Sequence, residues 1–137
     1  MESMKSRLSV LWTFATLNYL YCDVVTLMDP GLLKGFLAGR VGGVDLTQGF
    51  LLGAAILVEI PISMVLLSRV LSHPGNRWAN IVAGTIMTLV QLLTLLAKTP
   101  SPYYVFFSVI EIGATAVIVW LAASWAREGR PAVAMAG

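Results

Sequence analysis

Most of the polar residues in this chain sit between, or at the edges of, four long apolar runs. The runs cover roughly residues 8–28, 47–71, 78–97 and 103–125. Each is about the twenty residues that a helix needs to cross ~30 Å of hydrocarbon. The connections at 72–77 and 98–102 are short and carry Pro, Gly or Asn, as tight turns do. Short connections make successive helices antiparallel. The pattern therefore predicts an all-α, integral-membrane up-down four-helix bundle, one domain over 1–137 with a polar tail at 126–137.

The first connection is longer and patterned. Asp29 is a good cap residue and Pro30 suits a first helical position. Leu32, Leu33, Phe36 and Leu37 then share one face, and Gly39 suits a stop. This predicts a short helix over 30–38 lying in the interface. It either rests on lipid as a connector or forms a lid over the outer mouth of the bundle. The Arg40–Asp45 stretch after it is expected to be flexible.

Within the runs the polar residues are not scattered. Trp12, Thr16, Tyr19, Asp23 and Thr26 recur at alternating spacings of four and three, which puts them on one stripe of a helix. So do Asn80, Gly84, Met87, Gln91, Thr94 and Lys98 in the third run. Tyr104, Ser108, Glu111, Thr115, Ile118, Ala122 and Trp125 do the same in the fourth. The second run offers a comparable stripe of Gly49, Leu52, Ile56, Glu59 and Ser63. Facing these stripes to lipid would be costly, so they are expected to face one another. Gly49 and Gly53 read as a helix-packing pair, and Pro61, two residues past Glu59, is expected to widen the bundle locally.

Composition sharpens the membrane assignment. Of 137 residues 58% are hydrophobic and 12% charged, against about 25% charged in soluble domains; mean hydropathy is +0.83. A net charge of +2, spread over helix ends, argues against a nucleic-acid partner. Lys5, Arg7, Arg69, Arg77, Arg127 and Arg130 fall on one side, and Lys34, Arg40 and Lys98 on the other. That asymmetry predicts a multi-pass plasma-membrane protein with both termini in the cytoplasm. Lys5 and Arg7 ahead of an apolar run resemble a signal peptide. No small-residue cleavage site follows, however, and the run continues into Tyr19, Tyr21, Cys22 and Asp23, so it is read as a mature helix.

Candidate chemistry is narrow. A single cysteine, Cys22, excludes an internal disulfide and is read as a packing residue, and a single histidine, His73, placed in a loop, argues against haem or multi-histidine metal ligation. No lysine sits inside a run, and no phosphate loop or zinc spacing occurs, so no cofactor is expected. What remains is acidic. Glu59 and Glu111 each sit well inside an apolar run, where a carboxyl is expensive and marks a functional site by default. By depth Asp23, Gln91 and Glu111 fall in the outer half and Glu59 near the middle. Arg40 and Lys98 reach Asp23 at most, so neither glutamate has a cationic partner. The alternative is that the glutamates tie helices together with Gln91 and Tyr19.

The segments Asn18–Asp23, Leu27–Pro30, Thr47–Gly53, Glu59–Pro61, Asn76–Asn80 and Glu111–Ile112 resemble a bacterial family of small four-span membrane proteins carried as a domain of unknown function. The resemblance runs to about Trp125 and implies the fold. The architecture is also similar to four-span proteins of the DoxX type, and more loosely to small integral-membrane terpene cyclases. That last analogy implies a protonation-initiated cyclase of a prenyl chain. Glu59 and Glu111 would serve as acid and base with Asp23 as a third candidate. Trp12, Asn18, Tyr19, Gln91, Phe107 and Trp120 would contact the substrate. The alternatives are a proton-coupled transporter or exporter of a small molecule and a non-enzymatic lipid binder. Expected partners are the bilayer, a hydrophobic small molecule and a second copy of the chain.

Overall fold

A computed structural model describes residues 3–97 and 99–136, with side chains up to residue 125. Lys98 lies outside the described residues, as do the side chains of Arg127 and Arg130 and of the rest of the 126–137 tail. The four spans are α1 (Met4–Leu27), α3 (Gln48–Val70), α4 (His73–Ala97) and α5 (Pro102–Ala136); between α1 and α3 come α2 (Pro30–Leu37) and a two-stranded hairpin, β1 (Arg40–Val41) with β2 (Val44–Asp45). All four long helices are apolar and long enough to cross a membrane. The protein is an all-α, multi-pass membrane protein.

Local chemistry explains most of the boundaries. Ser3, Asp29 and Thr47 each cap a helix with the side-chain oxygen accepting a backbone N–H, from Ser6, Gly31 and Phe50 respectively. The third span begins earlier than its apolar pattern, because Pro74 is preorganised for a helix start and carries no N–H to satisfy there. His73 is thus no free loop residue. It opens α4 and meets Trp125 edge to face, with ring centroids 4.5 Å apart.

The 40–45 stretch is ordered into the hairpin rather than flexible. Gly42 and Gly43 both have positive φ, 59° and 79°, as a two-residue turn between right-twisted strands requires. Arg40 pairs with Asp45 at 2.9 Å, not with Asp23. The hairpin rests on α2 at Gly35, where an added Cβ would lie 2.6 Å from the Arg40 carbonyl oxygen. Gly35→Ala is expected to lift the hairpin off α2. Hydrogen exchange should then rise at Val41–Leu46, with thermal stability nearly unchanged because no buried core residue belongs to this segment.

α1 packs along α3 and α5, α4 packs along α5, and α3 meets α4 along a shorter seam. The main apolar core is Leu8, Trp12, Met64, Ala83, Met87 and Ile118. It lies toward the end of the bundle that carries the termini, called here the terminal end; α2 and the hairpin mark the distal end. On α5 the inward stripe is the expected one, with Ser108, Glu111, Thr115, Ile118 and Ala122 all buried.

On α3 the expected stripe is reversed. Gly49, Leu52, Ile56 and Glu59 are exposed, and Pro61, Met64 and Ser68 are buried. This span is apolar all round, so its lone acid carried no information about which side faces inward. Residues 48–56 of α3 are all exposed; the helix joins the bundle only from about Leu57 onward. Pro61, which removes the backbone bond to the Leu57 carbonyl, stands where that contact begins. At this level Leu57 and Val58 line a cavity inside the bundle, while Glu59 lies on an outer groove.

Candidate functional site

The divergence of α3 leaves a cavity of about 180 Å³ in the distal half of the bundle, with walls from all four spans. α1 contributes Tyr19, Cys22 and Asp23; α3 contributes Leu57 and Val58; α4 contributes Met87, Val90, Gln91 and Thr94; α5 contributes Tyr104 and Glu111. A second cavity of about 300 Å³ lies beyond it, beneath Leu32 and Phe36 of α2 and Val41 of the hairpin. Asp23, Thr94 and Tyr104 line both. The α2–hairpin unit therefore roofs the distal mouth.

Glu111 is the deepest polar group in the inner cavity. It is 2% exposed, and its Oε1 is buried with no hydrogen-bond partner, as is the Tyr19 hydroxyl. Two unpaired polar atoms on one cavity are costly in a protein interior. The neighbouring polar groups are already committed. Gln91 Nε2 donates to Ser108 Oγ at 2.6 Å. Thr115 shares a 2.7 Å bond with Thr88 and donates to the Glu111 backbone carbonyl at 3.1 Å. These bonds fasten α5 to α4 on either side of Glu111 and fix the carboxyl without satisfying it. Among the described residues no lysine, arginine or histidine lines the cavity. Among the described residues no group of three His, Cys, Asp or Glu is placed to hold a metal ion.

Of the residues selected from sequence, the structure brings Asp23, Glu111, Tyr19 and Gln91 to this cavity. It does not bring the others. Glu59 lies on the outer face of α3, bonded to Ser63 of its own helix at 3.2 Å. Trp12 is fully buried near the terminal end and donates to Asn80 Oδ1 at 2.7 Å. The Asn18 amide returns to the Phe14 carbonyl of its own helix. Phe107 stacks edge to face on Phe106 and lines neither cavity. Trp120 is 66% exposed. A span marks an aromatic as costly to expose only weakly, because lipid accepts aromatic surface, so these side chains had no reason to converge.

Cys22, Tyr104 and Thr94 are the polar lining residues that the sequence does not mark as site residues, beside the apolar Leu57, Val58, Met87 and Val90. Tyr104 lies seven residues before Glu111, and Cys22 seven after Ala15, a buried residue of α1. That spacing puts each on the inward face.

The sequence pattern of one family, described as a family of unknown function (DUF6326), matches residues 1–131. The chain belongs to this family. No curated protein and no solved structure matches this DUF6326 member, so its chemistry has to be argued from the cavity itself.

Proposed function

We propose that this protein binds a small amphiphilic molecule in the distal cavity, with a hydrogen-bond-donating or cationic head on Glu111 and an apolar body along Leu57, Val58, Met87 and Val90. The observation that supports this most is the buried Glu111 oxygen left without a partner. Asp23 at the mouth adds a second acid, and among the described residues no basic side chain lines the cavity beside either, which favours a ligand with donors over an anion. Tyr19 and Tyr104 line the same cavity, and aromatic rings suit a cation. Lys5, Arg7, Arg69 and Arg77 lie at the terminal end, which supports a cytoplasmic terminal end and a cavity in the outer leaflet. Passage of the ligand across the membrane, as a proton-coupled transporter needs, would require the core around Trp12 to open.

Purification in a mild detergent followed by native mass spectrometry tests the proposal. An amphiphilic amine should copurify with the wild type, and Glu111→Gln should lower its occupancy at least tenfold. Glu59→Gln should leave occupancy unchanged, because Glu59 faces away. Equal retention by Glu111→Gln sinks the proposal. Glu111→Met should also raise the melting temperature of the ligand-free protein, since it removes an unsatisfied buried group.

A second function is favoured by the placement of Glu111 and Asp23 on one cavity with two tyrosines. In it, Glu111 adds a proton to an alkene carbon of a prenyl chain, the carbocation closes on a second alkene, and Asp23 removes a proton from the adjacent carbon. The product is an isomer of the substrate. Conversion of a bound polyprenyl chain to a cyclic isomer, lost in Asp23→Asn, distinguishes this from simple binding.

A further inference from the structure

Glu59 stands at the midpoint of α3, a helix of 23 residues, on the face turned away from the bundle. A carboxyl at that depth in lipid meets no water and no counter-charge. Beside it runs a shallow groove of about 310 Å³ lined by Ile56, Ile60, Ser63, Met64 and Leu67. Toward the distal end the same face continues through Ile56, Leu52 and Gly49 at alternating spacings of three and four. An added Cβ at Gly49 would meet only the Thr47 hydroxyl, at 3.8 Å. The α3 backbone is therefore bare at the distal end of this seam, and none of the described residues covers it.

The two features call for one kind of cover. Side chains at alternating spacings of three and four seat a second helix alongside the first, and a polar side chain inside a span supplies hydrogen bonds between helices. A second copy of α3 offers both, because a two-fold interface sets a surface against itself. With the axis along the membrane normal the two α3 helices run parallel. Ile56 then meets the same isoleucine, and each Glu59 carboxyl lies within a turn of the other copy's serine hydroxyl. We propose that two copies of the protein associate through the Gly49–Leu52–Ile56–Glu59–Ser63 face of α3, with Ser63 of each donating to Glu59 of the other in place of the 3.2 Å bond within its own helix. This does not depend on what occupies the distal cavity, which lies on the other side of the helix.

The test uses the full chain in liposomes. In a Cys22→Ser background, Ile56→Cys should form a disulfide-linked dimer on mild oxidation, its parent side chain being 60% exposed on the seam. Leu89→Cys, on the exposed face of α4 (54%), should not. Single-molecule photobleaching then measures association without cross-links. Glu59→Leu should weaken it about tenfold or more, while Glu59→Gln, still an acceptor for a serine hydroxyl, should preserve it. Glu59→Leu removes no contact between helices within one copy, so its effect is not one of misfolding. Several outcomes overturn the proposal: a monomer at all protein-to-lipid ratios, cross-linking through Leu89→Cys, unchanged association in Glu59→Leu, or a monomer holding a lipid in the groove.

Discussion

Gly84→Leu is expected to cost about 3 kcal/mol or more and to abolish ligand retention, whereas Gly84→Ala should cost about 1 kcal/mol. Gly84 is where α4 and α5 approach most tightly among the described glycines. An added Cβ would lie 2.7 Å from Val119 Cγ2 and 3.4 Å from the Thr115 carbonyl oxygen. The first contact is a methyl that can turn aside, which limits the cost of alanine. The second is backbone, so a larger side chain can be housed only by moving α5 outward. The Thr88–Thr115 bond lies one turn along α4 and the Gln91–Ser108 bond the next. Both would lengthen, and Glu111, held between them, would leave its place in the cavity wall. Thermal unfolding in detergent checks the stability, and native mass spectrometry checks retention. A Gly84→Leu protein with wild-type melting and occupancy would show that the approach of α4 to α5 does not set the site.

What the sequence made legible follows from how strongly each residue prefers one side of a helix. On α5, Ser108, Glu111 and Thr115 repeat at helical spacing, and three polar groups together make one face too costly for lipid. Their inward placement, and with it the Glu111 part of the site, could be read directly. The boundary signals of α2 were equally plain, because Asp29–Pro30 and Gly39 act locally. α3 gave no such pattern. Its single acid predicts an inward face there, but one carboxyl bonded to Ser63 is outweighed by the packing of Pro61, Met64 and Ser68 against the bundle. Pairing Glu59 with Glu111 therefore failed for a reason of tertiary packing that one helix cannot display. The hairpin was missed for a different reason. Val-Gly-Gly-Val is a hairpin signal, yet beside a membrane helix the same glycines equally suit a flexible connector. Tyr19 and Asp23 were found because they share the inward half of α1 with Trp12. The same stripe placed Trp12 in the site, although it runs the length of the helix and the cavity occupies only the distal part.

Replacing Asn80 by leucine should be the most destabilising change outside the α4–α5 contact, about 3 kcal/mol, and should leave the ligand affinity of the folded fraction unchanged. Asn80 is fully buried and uses both ends of its amide. Its Oδ1 accepts from Trp12 Nε1 at 2.7 Å and from Ser68 Oγ at 3.2 Å. Its Nδ2 donates to the Asn76 carbonyl at 2.8 Å and to Asn76 Oδ1 at 2.7 Å. Asn76 in turn donates to the Ser68 carbonyl at 2.6 Å. One side chain thus joins α1, α3 and α4 near the terminal end, where apolar packing alone would leave their rotation undefined. Leucine fills a similar volume but strands the Trp12 indole N–H and the Ser68 hydroxyl without water to replace the amide. A double-mutant cycle separates this from lost packing. Trp12→Phe should destabilise the wild type by about 1–2 kcal/mol more than it destabilises Asn80→Leu, because the bond it removes is already gone. Additive losses would show that the indole and the amide act independently. The same pair of variants decides the role of Trp12. If the indole serves the bundle rather than the ligand, Trp12→Phe lowers the melting temperature and leaves occupancy of the distal cavity intact. A ligand resting on Trp12 would instead dissociate from Trp12→Phe while remaining on Asn80→Leu.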